Sequence, residues 1–135
     1  MGIFLFKSFL AINSPILDLF FNLKNSKRNK IIAILEHLEE AEKNFCPPFV
    51  KNIDHFCDGS VLYEIRISFS KELLRIFCSH NSGDIILYEY LIKPHFYDKR
   101  KEKIINKEYF NKINKSKNDY SSFLSKAGEL IEIEI

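Results

Sequence analysis

Tryptophan is absent from this 135-residue chain, and cysteine, glycine and proline are scarce, at three, four and four. So little glycine and proline excludes collagen-like and low-complexity linker composition. Cys46, Cys57 and Cys78 are odd in number and lack CxxC spacing, which excludes a disulfide frame and a zinc ribbon. They read as reduced thiols packed as small hydrophobes. His37, His55 and His80 show no ligand spacing, so neither a metal nor a small-molecule cofactor is expected. No apolar run approaches the ~18 residues that span a bilayer. Residues 1–12 are apolar, but Lys7 interrupts them, no charged region leads and no small-residue cleavage pattern follows. A strand is therefore the better reading than a secretory leader, and a soluble cytoplasmic protein without membrane association is expected.

An excess of one charge is also lacking: the formal net charge is only +2. Its distribution is uneven, however. Residues 93–118 carry nine Lys or Arg against three acids, while residues 36–42 are acidic. A localised basic segment supplies sequence-independent attraction to phosphates, and a solvated helix face is the plain alternative. What is abundant is apolar surface: 46% hydrophobic residues, with thirteen Phe and six Tyr. That is enough for one globular domain with a real core.

Residues 3–10 are rich in aliphatic and aromatic side chains and read as a strand. Ser14-Pro15 starts a helix, the serine as cap and the proline where its missing donor is unpaired anyway. After a break at residues 25–27, residues 28–42 set Ile31, Leu35 and Leu38 on one stripe opposite glutamates, a second helix. Pro47-Pro48 begins an extended connection. Three strands follow, over 61–68, 73–80 and 85–92, with Asn81-Ser82-Gly83-Asp84 as a hairpin turn and Pro94 as terminator. Residues 98–117 read as a basic amphipathic helix, 120–126 as a further short helical piece, and 130–135 alternate as a strand does. There is no internal repeat. The expectation is an α+β fold with a small antiparallel sheet, order β-α-α-β-β-β-α plus a tail, and two N-terminal helices packed on it.

Four fragments then occur in order: Lys27-Arg28-Asn29-Lys30-Ile31-Ile32, Pro48-Phe49-Val50-Lys51-Asn52-Ile53, Leu62-Tyr63-Glu64-Ile65-Arg66-Ile67 and Leu74-Arg75-Ile76-Phe77. With the apolar strand and Lys93 after them, they resemble RelE/HigB-type toxins of bacterial toxin–antitoxin pairs, most closely the HigB-like and phage-derived members. The likeness covers roughly residues 3–115 and implies a RelE-like fold. A toxin domain over residues 1–118 and a C-terminal extension over 119–135 are expected. The resemblance implies metal-independent cleavage of messenger RNA, commonly on the ribosome, by attack of a ribose 2′-hydroxyl on the adjacent phosphate. Such a step needs a base, cations for the phosphorane charge and an acid for the leaving oxygen.

The resemblance assigns Arg66 and Arg75 to the scissile phosphate, which a guanidinium meets with a planar fork of donors. Glu64 shares a strand face with Arg66 and is placed among the RNA-binding residues. Spacing alone would favour a simpler reading, exposed arginines paired with Glu64 or Glu89. Lys93 matches the family's lysine after the last strand, and His95 and Tyr97 lie within reach for proton transfer. Lys51, in the loop before the second strand, and Lys99 and Arg100 are candidates for RNA backbone contact. Departures from the family pattern are Pro94 directly after Lys93, and Leu74 where a tyrosine is common. Partners implied are a cognate antitoxin, of helix-turn-helix type in HigB-like pairs, with messenger RNA and the ribosome as targets. Two rivals share the architecture: a ParE-like inhibitor of DNA gyrase, and an inactive member that only binds antitoxin. Fold alone does not separate them.

Overall fold

The computed structural model describes residues 2–40, 49–81 and 83–133. The chain runs β1 (Ile3–Ser8), α1 (Pro15–Asn22), α2 (Asn25–Glu40), β2 (Val50–His55), β3 (Val61–Ser68), β4 (Glu72–Asn81), β5 (Asp84–Pro94), α3 (Lys99–Leu124) and β6 (Gly128–Glu132). The six strands form one open sheet in the order β2-β3-β4-β5-β1-β6. Among the described residues it is a mixed α+β architecture with three helices.

Several expectations need correction. The sheet is larger than a three-strand meander plus one strand, and it is not wholly antiparallel, because β1 lies parallel to β5. Residues 50–55 are a strand, not a loop; their polar composition hides it, and pairing with β3 creates it. The tail joins the sheet as β6, antiparallel to β1. Helix α2 already begins at Asn25, so the break falls at Leu23-Lys24. Helix α3 runs unbroken through residues 118–124 and absorbs the short piece expected separately. Cys78 is buried as expected, but Cys57 is exposed; Cys46 and the end of the acidic helix lie outside the described residues.

Each face of the sheet has its own core. On one, Ile65, Ile67, Leu74, Ile76, Cys78 and Leu87 pack against Ile16 and Leu19 of α1 and Ile31 and Leu35 of α2. Ser14 caps α1 through its Oγ, which accepts from Leu17 N–H at 3.4 Å, with Pro15 in the first turn. On the other face, Phe6, Leu62, Phe77, Ile86, Tyr88 and Leu91 pack against Ile113 and Tyr120 of α3. The inward residues of α3 (Tyr109, Ile113, Ser116, Tyr120, Phe123) recur every three or four positions, as an amphipathic helix requires. Tyr120 anchors its far end: its ring stacks on Phe56 at 3.9 Å, and its hydroxyl donates to Asp58 Oδ2 at 2.6 Å. Asp98 caps the near end, accepting from Lys101 N–H at 2.9 Å. No helix of the described residues is long and apolar enough to cross a membrane.

Candidate nucleic-acid interface

Register fixes which side chains share the α3 face. Across β2, β3, β4 and β5, one row reads Lys51, Glu64, Phe77, Glu89. The next reads Arg66, Arg75, Leu91, and the one beyond it Ser68, Leu73, Lys93. Directly opposed residues have Cβ atoms about 5 Å apart and diagonal neighbours about 7–8 Å. Arg66 and Arg75 are therefore face to face, Lys93 is diagonal to Arg75, and Lys51 is diagonal to Arg66. A bulge contributes: between Phe77 and Cys78 the β4–β5 register shifts. Tyr88 and Glu89 both turn to the α3 side as a result, one into the core and the other into the polar row.

Two opposed arginines repel, and the fold answers with a buried acid. Glu64 has no exposed surface; its Oε2 accepts from Arg66 Nε at 2.8 Å, and Oε1 lies 3.6 Å from Arg75 Nε. The second contact is an ion pair too long for a hydrogen bond, and both of its atoms lack a hydrogen-bonding partner. Glu64 thus meets both guanidinia at Nε and leaves their Nη groups outside these two contacts. The arginine side chains differ in access, 35% exposed for Arg66 and 12% for Arg75. Tyr109 of α3 makes the difference, its ring centred 4.8 Å from Arg75 Cζ. Burial, and then the charge of Glu64, push the Tyr109 hydroxyl up to about 12. It remains a neutral phenol at physiological pH and cannot serve as a base.

Glu64, a candidate RNA-contacting residue, is fully buried and is the shared counter-ion of Arg66 and Arg75. Glu89, the alternative partner for those arginines, is also fully buried but is held from above by Lys115 at 2.6 Å and Lys112 at 3.4 Å. With Lys117 paired to Asp54 at 2.7 Å, three lysines of the basic segment fasten α3 to the sheet. Tyr109 marks where α3 parts from the sheet. Over residues 99–108 every side chain is exposed except Ile105, which is half-buried. Lys99 and Arg100 stand on this overhang; Lys51, now on edge strand β2, is exposed as well.

The last three candidates sit at the end of β5, Lys93 within the strand rather than after it, and His95 and Tyr97 just beyond. Lys93 Nζ lies over the Tyr97 ring at 5.2 Å. His95 Nε2 donates to the Phe69 carbonyl at 2.8 Å, since a carbonyl can only accept, and Ser68 Oγ is 3.4 Å from the same nitrogen. That assigns a proton to Nε2, and in the neutral imidazole Nδ1 then keeps its lone pair. The backbone ties in too, His95 N–H donating to Lys71 O at 3.0 Å. The β3–β4 turn that holds His95 is gripped from the other side. Lys30 donates to Ser68 O, Lys27 pairs with Glu72 at 2.7 Å, and both ammonium groups lie about 5 Å from the Phe69 ring centre. The structure thus brings Lys51, Glu64, Arg66, Arg75 and Lys93 to one face, with His95 and Tyr97 at its end, and sets Lys99 and Arg100 on the overhang. Sequence reasoning missed Tyr109, the pairing of Glu89 with Lys112 and Lys115, and the two clamping lysines, Lys27 and Lys30. Only the i, i+3 spacing of Lys27 and Lys30 ahead of an apolar stripe hinted at a shared target.

Among the described residues no three His, Cys, Asp or Glu side chains are grouped as a metal site would require. In comparison with known proteins, the model of a family described as Phage derived protein Gp49-like (DUF891) matches residues 18–120, about three quarters of the chain. No curated protein matches the chain, and no solved structure does.

Proposed function

The chain belongs to the Gp49-like family of phage-derived proteins, which is related to the toxins of toxin–antitoxin pairs, and from that premise we propose that it is a metal-independent endoribonuclease toxin. Its target is messenger RNA, cut on the ribosome in the cytoplasm, and a protein antitoxin of helix-turn-helix type neutralises it. The observation that carries this reading is the opposed pair Arg66 and Arg75 sharing one buried carboxylate. Two guanidinia on one Glu64 leave a surplus positive charge at an open surface, with Lys93 and Lys51 diagonal to it. A phosphodiester supplies the missing negative charge.

In the proposed step, the Nη groups of Arg66 and Arg75 hold the non-bridging oxygens of the scissile phosphate. The ribose 2′-oxygen attacks phosphorus, the P–O5′ bond breaks, and a 2′,3′-cyclic phosphate and a 5′-hydroxyl result. Donors fixed where the phosphorane charge develops need no reorganisation, which is why Glu64 acts through the arginines rather than on RNA. Lys93, His95 and Tyr97 line the end of the face, and proton transfer is assigned to this group. His95 offers Nδ1 as acceptor while Nε2–H is engaged with Phe69. Lys51, Lys99 and Arg100 attract flanking phosphates. Every residue in this scheme lies within the toxin domain of residues 1–118; the end of α3 and β6 fall in the C-terminal extension that follows it.

Induced expression of the wild-type chain is expected to arrest bacterial growth with loss of messenger RNA, and Arg75→Ala, checked for folding by circular dichroism, to relieve both. Intact transcripts with poisoned DNA gyrase would instead assign the ParE-like activity. Absence of any growth effect from folded protein that still binds antitoxin would assign an inactive member of the fold.

A further inference from the structure

β6 ends the sheet, and nothing among the described residues pairs with its outer side. Phe9 N–H donates to Ala127 O at 3.0 Å and Ile133 N–H to Ile3 O at 2.8 Å. Odd-numbered residues therefore face β1, and by the alternation of an antiparallel ladder the N–H and C=O groups of Leu130 and Glu132 point outward. The other edge is protected by a register shift between Asn52 and Asp54 in β2, a common way to blunt pairing. β6 has no such shift; its register with β1 is continuous.

Beside this edge lies an apolar groove of about 230 Å³, lined by Leu17, Phe20 and Phe21 of α1, Ile32 of α2, and Ile131 and Ile133. Arg28 also lines it: Nη2 donates to Leu23 O at 3.3 Å, but Nε is buried without a hydrogen-bonding partner. The β1–α1 loop, tied to the start of β6 through Phe9, exposes Phe9, Leu10 and Ile12 at 65%, 97% and 91%. Apolar side chains gathered so densely along one flank mark an interaction surface rather than ordinary scatter. The charge on the strand is of one sign: Glu129, on the groove face with Ile131 and Ile133, and Glu132, on the opposite face, are both exposed.

We propose that the outer edge of β6 docks an extended segment of a partner protein in which aliphatic residues alternate with Lys or Arg. The segment adds a seventh strand through the outward groups of Leu130 and Glu132. It places an aliphatic side chain in the groove, offers an oxygen to Arg28 Nε, and sets its cations, on the opposite face of the strand, against Glu132. Main-chain pairing supplies affinity, and the alternating side chains supply selectivity. A second copy of this chain fits poorly, because pairing β6 with itself brings the glutamates of two strands together. The proposal does not rest on the nuclease reading.

The test is a titration of isotope-labelled protein with a blocked ten-residue peptide alternating valine and lysine, followed by two-dimensional NMR. Shifts are expected at the Leu130 and Glu132 amides and the Arg28 Nε–H, with slowed exchange of those two amides. A peptide alternating valine and glutamate should bind at least tenfold more weakly, and E129K/E132K should invert that preference. Leu130→Pro deletes an outward donor without touching the bonds to β1, and should weaken binding at least tenfold while the β1 resonances stay in place. An unperturbed β6, equal binding of the two peptides, or self-association abolished by E132K would overturn the proposal. RNA cleavage is expected to be unchanged in E129K/E132K, which keeps the two readings separable.

Discussion

Replacing Glu64 with glutamine removes one negative charge and nearly no volume, and two arginines are left opposed across β3 and β4. The attraction lost is that of contacts at 2.8 Å and 3.6 Å to a carboxylate with no exposed surface. At an effective dielectric near 20 the two contacts sum to roughly 10 kcal/mol, most of it offset by the cost of dehydrating the carboxylate. Removing one member of a buried pair typically costs about 3–5 kcal/mol. Arg66 is one-third exposed and its share is screened by solvent, so the lower end applies, about 3 kcal/mol. In a domain of this size that lowers Tm by roughly 10 °C, and at an m-value of about 1.5 kcal/mol/M it lowers the urea midpoint by roughly 2 M. Sulfate should restore more stability to the variant than to the wild type, because an oxyanion can take the place left by the carboxylate. Urea titrations of both proteins with and without sulfate measure the two effects together. A loss below about 0.5 kcal/mol, the size of an ordinary surface substitution, would refute the role given to Glu64, as would equal sulfate responses.

Two further outcomes follow from the charges around α3. Burial, and then the charge of Glu89, push the Asp119 carboxyl up to about 6 from its ordinary 3.8. The folded protein therefore holds that proton more tightly than the unfolded chain, and this site's contribution to stability rises as pH falls from 6 toward 4. Asp119→Asn should be more stable than wild type at pH 7.5 and lose that pH-dependent component, as urea midpoints across pH 4–7.5 would show. For the overhang of α3, replacing Lys99, Arg100 and Lys101 with glutamine should reduce the salt slope of single-stranded RNA binding by about 2, since each phosphate contact contributes about 0.7. An unchanged slope in fluorescence anisotropy would remove the overhang from the RNA-binding surface.

The parts of the fold legible in the sequence were those set by local periodicity. The cap at Ser14, the stripe of α2 and the meander around Gly83 each depend on neighbours in the chain. Gly83 does sit at φ 88°, where a side chain would be strained. The placement of Glu64 and Arg66 on one face follows from the two-residue repeat of a strand. Partners chosen at long range were not legible. The parallel pairing of β1 with β5 joins residues some eighty positions apart. β2 is a strand because β3 offers it an edge, not because Lys51, Asn52 and Asp54 favour extension. For the same reason Tyr109, 34 positions from Arg75, gave no sign that it would lie over that guanidinium. The basic segment was legible as charge but not as use: Lys112 and Lys115 serve the buried Glu89, a role that requires knowing where β5 bulges.

The most direct measurement is single-turnover cleavage of a short RNA by purified wild type, Arg66→Gln, Arg75→Gln and the double variant, each verified as folded. If both guanidinia hold one phosphate, each single substitution should slow cleavage about 10²–10³-fold. The double variant should lose less than the product of the two losses, because the residues act as a unit. A substrate with deoxyribose at the cut site should not react. Folded single variants that cut within about threefold of wild type (~0.7 kcal/mol of barrier) would contradict the account.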